Sequence, residues 1–150
     1  MSELPFILFG QQHLFALVLS ALTIIYFPLY AKKKLSKDSQ EAIAKTLAIF
    51  LIVHELSRPF YRPYFFGDEL ILSFPLHACH LSAFSIAVYL LVRKKVFFEV
   101  AYYWGLGGGT MALLTPDITR AFPDIEWFPF FMGHGAMIMA IFFSMFCHNT

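Results

Sequence analysis

The residues with the most chemical potential in this chain fall within four positions. Phe74-Pro75-Leu76-His77-Ala78-Cys79-His80-Leu81 places two imidazoles and a thiol inside an apolar run from Ile71 to Val92. Polar groups cost free energy when they leave water, so three in such a run call for partners or a task. A thiol beside an imidazole suits nucleophilic catalysis, because the base raises the thiolate fraction that attacks. Two imidazoles at i,i+3 share a helix face and suit metal ligation, a proton relay or interhelical hydrogen bonding.

At 3.6 residues per turn, Cys79 points roughly 100–200° away from the common face of His77 and His80. A base from another helix is better placed. The candidates are His134 and His54, with Glu55 or Asp117 to hold the ring, and the expected pair is Cys79 with His134. His134 sits in Met132-Gly133-His134-Gly135, where small neighbours leave space around the ring. A metal or haem site drawing on His77, His80 and His134 is the alternative, together with a ligand-binding or transport module gated by histidine protonation. No His-Glu-x-x-His or comparable tight pattern supports the metal reading, and no cofactor is expected.

These side chains need elements to hold them. The 150 residues are 59% hydrophobic, 19% aromatic and 14% charged, with mean hydropathy +0.65, a composition of membrane proteins rather than soluble ones. The net charge of +1 leaves no footprint for nucleic acid. Two cysteines, Cys79 and Cys147, make no disulfide framework. The start, Met1-Ser2-Glu3-Leu4-Pro5, lacks the basic region of a cleavable signal peptide, so the first apolar stretch reads as a retained helix.

About 20 mostly apolar residues cross a bilayer. Five segments qualify, near 12–30, 41–57, 70–92, 96–114 and 128–147, giving an all-α polytopic membrane bundle in one domain. Asp38, Ser39 and Gln40 are expected N-caps for the second, which Arg58-Pro59 should end. An aromatic interfacial loop then runs to Asp68. Lys32, Lys33, Lys34, Lys37, Lys45, Arg93, Lys94 and Lys95 fall on one side, against Arg58, Arg62 and Arg120 on the other. Positive charge collects on the cytoplasmic side, so the N-terminus should be outside, the C-terminus cytoplasmic and the location a cell membrane.

That topology gathers His13, His54, His77, His80 and His134, five of the six histidines, into one outer layer. His13 and His54 lie near the interface, where an imidazole costs little. Glu55 has Arg58 three residues on for an ion pair. Arg58 and Arg62 are placed to meet lipid phosphates, and in a lipid enzyme would hold a head group. Gly105 and Gly109 form a small-xxx-small pair, read either as close helix packing or as a groove for an acyl chain. Cys147 and His148 carry no expected role.

Pro75-Leu76-His77-Ala78-Cys79, Trp104-Gly105-Leu106-Gly107-Gly108 with Leu114-Thr115-Pro116-Asp117, and Phe131-Met132-Gly133-His134-Gly135 resemble the successive signatures of the YwaF-type integral membrane proteins; His13 also fits. That family is similar to animal transmembrane lipid acyltransferases that remodel ether phospholipids through a cysteine acyl-enzyme. The resemblance implies membrane lipids as partners, Cys79 as nucleophile and a histidine assisting. The family commonly has six or seven helices, so five here imply a short or truncated member. Oligomeric state is not legible.

Overall fold

A computed structural model describes residues 4–67 and 69–148, the side chain of Leu72 apart. Met1, Ser2, Glu3 and Asp68 therefore lie outside the described residues. Regular structure is helical: α1 (Gln11–Lys34), α2 (Lys37–Phe66), α3 (Leu70–Ser73), α4 (Ala78–Val92), α5 (Lys95–Val100), a π-helical turn (Ala101–Gly105), α6 (Leu106–Leu114) and α7 (Trp127–Cys147). Two of these, α1 and α7, are long and apolar enough to cross a membrane.

α7 is the centre of the molecule. α1 packs along one side of it, while α2, α4 and α6 pack against it and α2 packs against α4. Alanines sit where backbones approach: Ala44, Ala48, Ala87, Ala101 and Ala140 are fully covered. Leu51, Ile86, Leu90, Ile141 and Phe143, also fully covered, fill the space between. Small residues at the crossings and large ones between them give close packing without voids.

Three boundaries differ from those read in the sequence, each for a local reason. α2 starts at the Ser36 cap, whose Oγ accepts from Ser39 N–H at 3.2 Å, so Asp38, Ser39 and Gln40 lie within the helix. It then continues through Pro59 and Pro63 to Phe66 instead of ending at Ser57. Each proline removes one N–H donor, and a spacing of four keeps both on one face, where the helix tolerates them. The stop is Gly67, at φ 71°, the left-handed conformation that glycine adopts without strain. The expected interfacial loop after Pro59 is thus mostly helix.

The expected third helix, 70–92, is broken. Pro75 drives Phe74 into extended backbone at φ −67° and ψ 140°, and the helix restarts only at Ala78 with His77 as its extended N-cap. α4 therefore has 15 residues and a length of about 22 Å at 1.5 Å per residue. The expected fourth helix, 96–114, is continuous in path but holds a π turn at Ala101–Gly105.

The basic end of the bundle is interlocked. Arg93, the left-handed C-cap of α4, lies 2.6 Å from Glu41 Oε2 and donates to His148 Nδ1 at 2.7 Å. Lys37 donates to the Cys147 carbonyl at 3.3 Å, and Gln40 to those of Ala31 and Leu35 at 3.0 and 3.1 Å. Cys147 and His148 are thus structural parts of this end. At the other end, Phe6 donates to Thr119 O and Ala121 to Leu4 O, pinning the N-terminal segment to the loop before α7.

Candidate functional site

The break before α4 shapes the site. The link from Phe74 to His77 is non-helical, with Leu76 N–H donating to Phe74 O at 2.8 Å, and the first turn of α4 runs inward from an exposed Ala78 through a half-buried Cys79 to a buried His80. A cavity of about 320 Å³ opens there. α2 supplies Arg58, Tyr61, Arg62 and Phe66, and the start of α4 supplies His77, Cys79 and His80. Ala112, Thr115 and Asp117 come from the end of α6 and the loop beyond it, and Glu126, Pro129, Phe130 and His134 from α7 and its approach. A recess of about 10 Å³ behind it reaches His54 and Glu55.

Of the expected catalytic residues, Cys79, His134, His77, His80 and Asp117 all line this one cavity. Cys79 is half-buried and free. His134 Nδ1 lies 2.8 Å from the Phe130 carbonyl, four residues earlier on α7. A carbonyl only accepts, so Nδ1 carries the proton and Nε2 is left as the basic nitrogen. The group that orients His134 is therefore a backbone carbonyl, in place of Asp117 or Glu55. Asp117 is exposed at the cavity rim. Among the described residues, no hydrogen bond joins Cys79 to a histidine.

Glu55 has a different place from the one expected. Its side chain is 5% exposed, with His80 Nδ1 2.8 Å from Oε2 and His54 Nδ1 3.3 Å from Oε1. His54 Nε2 lies 3.0 Å from the Pro129 carbonyl. Both nitrogens of His54 thus face acceptors, and both contacts are satisfied together only when a proton is shared between that ring and Glu55. This cluster ties α2, α4 and α7 together behind the cavity. Glu55 and His54 are therefore braces for the cavity wall rather than residues lining the main space. Glu55 pairs with the histidines and not with Arg58.

Arg58 is the cation left for a ligand. It lines the cavity and its recess, forms no ion pair among the described residues, and its Nε is buried without a partner. The metal alternative finds no support in the geometry: no group of three or more His, Cys, Asp and Glu among the described residues is arranged to hold a metal ion.

Three further expected binding residues lie outside the cavity. His13 is fully buried, accepting from Phe9 N–H at 2.9 Å through Nδ1 and lying 2.8 Å from Leu113 O through Nε2. Both nitrogens are spent on joining the N-terminal segment to the end of α6. A Cβ on Gly105 would come within 2.9 Å of Ile141 Cδ1, and one on Gly109 within 2.6 Å of Met137 Cε. These glycines serve helix packing against α7, and no acyl groove runs along them.

The sequence reading missed two features. Glu126, on the approach to α7, lines the cavity. Gly133 serves His54 rather than its neighbour His134: a Cβ there would overlap the His54 ring. Only the helix pairing, which places α2 over this turn of α7, could have shown it.

The sequence profile of the TMEM164 family matches residues 8–150. An uncharacterized protein of Treponema pallidum (strain Nichols) is 31% identical over 71 residues, which cover 47% of this chain and 29% of that protein. The matched stretch is thus under a third of that relative's length. No solved structure matches.

Proposed function

The chain belongs to the TMEM164 family, and we propose that it is a multi-pass membrane protein that transfers or hydrolyses lipid acyl groups through Cys79. In this reading it is a YwaF-type member of a bacterial inner membrane. α1, α2, α4, the continuous α5–α6 path and α7 are its five spans, with the N-terminus outside and the C-terminus cytoplasmic. The distribution of lysines and arginines supports that orientation. At about 22 Å, α4 is too short for a hydrocarbon core of about 30 Å. The non-helical stretch 74–77 and α3 make up the difference, and non-helical backbone at that depth is tolerated where it lines a cavity.

The observation that carries the reading is that Cys79 and a histidine with its tautomer set, His134, line one cavity with an unpaired guanidinium. Arg58 holds the lipid phosphate, with Arg62 four residues along the same helix. The Cys79 proton passes to His134 Nε2, and the thiolate attacks the ester carbonyl carbon. The N–H groups of Ala78 and Cys79, which precede the first bonded turn of α4, face the developing oxyanion. The ester C–O bond breaks, the departing alkoxide takes the proton from His134, and an acyl thioester remains on Cys79. An acceptor hydroxyl or water, deprotonated by His134, then releases the acyl group and restores the thiol. A thiol–imidazole contact that closes only when substrate is bound is common in such sites.

The test is acyl-enzyme capture. Reconstituted protein incubated with phospholipid carrying a labelled acyl chain should retain a hydroxylamine-sensitive label on the Cys79 peptide, absent in Cys79→Ser. Full lipid acyl turnover by Cys79→Ser would sink the proposal.

A further inference from the structure

α7 is a partition. Phe130 and His134 face the polar cavity, while Phe128, Met132, Gly135 and Met139, on the opposite side at helical spacing, face a second concavity. This groove holds about 390 Å³ and lies between α7 and Ala16, Leu19, Ser20 and Thr23 of α1. A further hollow of about 360 Å³ shares Leu19, Trp127 and Phe128 with it and ends at Gln11 and Gln12. The two adjoin at these residues along α1 and α7, the two helices able to cross a membrane.

The groove is not left over from tight packing. At Gly105 and Gly109 an added Cβ would press on α7 side chains, whereas at Gly135 its nearest neighbour is Ser20 Oγ at 3.7 Å. An added Cβ at Gly135 would thus sit in ordinary contact, and the small side chains of Ser20 and Gly135 leave the groove wall shallow at this level. From Trp127 to Met139 the groove runs about 18 Å at 1.5 Å per residue, the scale of a fatty chain. Its polarity is graded. The body is apolar, and the end near the start of α1 carries the amides of Gln11 and Gln12. Two buried polar atoms at that end lack partners, Trp127 Nε1 and Gln12 Oε1, and Trp127 as a whole is only 9% exposed. A buried indole N–H without a partner is uncommon and calls for an occupant that offers an acceptor.

We propose that this groove is a lipid-binding site, in which one acyl chain of a glycerophospholipid lies along α1 and α7 with its ester carbonyl accepting from Trp127 Nε1. The site is separate from the acyl-transfer cavity and stands whether or not that reading holds.

The chain's two tryptophans are Trp104 and Trp127, so Trp104→Phe leaves Trp127 as sole reporter in the groove. Purified protein in detergent is titrated with phosphatidylcholine bearing brominated acyl chains, whose bromines quench tryptophan on contact. The expected result is quenching that saturates near equimolar lipid and is reversed by unbrominated phosphatidylcholine. Gly135→Leu, and Ser20→Leu from the facing helix, should each abolish the saturable component. Gly107→Leu, on a face where a Cβ meets nothing within 4 Å, should leave it intact. Linear, unsaturable quenching in the parent protein would mean bulk annular lipid only and overturn the proposal. So would saturable quenching unchanged by both filling variants, or displacement by oleate or fresh detergent but not by phosphatidylcholine.

Discussion

Gly133→Ala tests the architecture behind the site with the least chemical change. The added Cβ would overlap His54 Cε1 and stand 2.9 Å from Nε2 and 3.1 Å from Nδ1. The ring has to withdraw, yet it is held at both ends, by Pro129 O at 3.0 Å and Glu55 Oε1 at 3.3 Å. Weakening two buried polar contacts, one to a carboxylate, costs about 2–4 kcal/mol. Alanine recovers about 0.8–1 kcal/mol of helix propensity. The net destabilisation should be about 1–3 kcal/mol, read as a shift in the unfolding midpoint of purified protein titrated with a denaturing detergent. The reasoning is specific to one partner, so a double-mutant cycle is the decisive control. In a His54→Ala background the methyl fills vacated space, and Gly133→Ala should cost nothing or stabilise. A full-size loss in that background, or no loss in the parent, would refute the ring-over-glycine account.

The other predictions address separate parts of the fold. Gly109→Leu should lower the unfolding midpoint by about 1–3 kcal/mol, as overpacking against Met137 and Ile138 requires. Gly107→Ala should instead stabilise by about 0.5–1 kcal/mol, since its Cβ meets only open space. His13→Leu, which keeps bulk but strands Phe9 N–H and Leu113 O, should cost about 1–3 kcal/mol and increase protease cutting of the N-terminal segment. At the basic end, burial and then the nearby Arg93 lower the His148 pKa from 6.5 to about 4, with Lys37 acting in the same direction and Glu41 opposing. A depressed folded value means this group's stabilisation is complete above about pH 6.5 and is lost as pH falls through about 4. Thermal midpoints measured from pH 7 to 4 should therefore fall less steeply in His148→Asn than in the parent.

The helical segments are legible because apolar runs and their basic stops are local signals. The histidine layer is legible because it follows from helix directions alone. Cys79 and His134 meet in one cavity on that basis, although their hydrogen bond is not formed. The errors cluster where a local rule competes with tertiary context. Pro59 ends a helix by propensity, yet α2 runs on because Pro59 and Pro63 share one face that tolerates the two lost donors, and Gly67 supplies the stop. Pro75 carries the opposite lesson: buried beside Phe74, it breaks a run whose hydropathy alone reads as continuous. Spacing of i,i+3 assigns Glu55 to Arg58, but the histidines of two helices reach it first, and contacts of that kind have no signature in a single segment.

That break at Pro75 explains why the cavity sits where it does. An unbroken helix across 70–92 would bury Cys79 in mid-helix, with every nearby N–H engaged four residues back. Starting the helix at Ala78 puts Cys79 in the first turn instead, where the Ala78 and Cys79 N–H groups precede the first bonded turn and the thiol meets the cavity. The shortened α4 also leaves a gap at one end of the bundle that α2, extended through its prolines to Phe66, walls off with Arg58 and Arg62. Two proline effects of opposite sense, one helix broken and its neighbour prolonged, together make a polar cavity in a chain that is otherwise apolar. Replacing Pro75 with alanine should therefore do more than change stability. A helix continuous through Phe74–His77 would turn Cys79 away from His134, so alkylation of Cys79 by a polar maleimide should slow at least tenfold while the helical content rises. Unchanged alkylation with raised helicity would show that the cavity does not depend on the break.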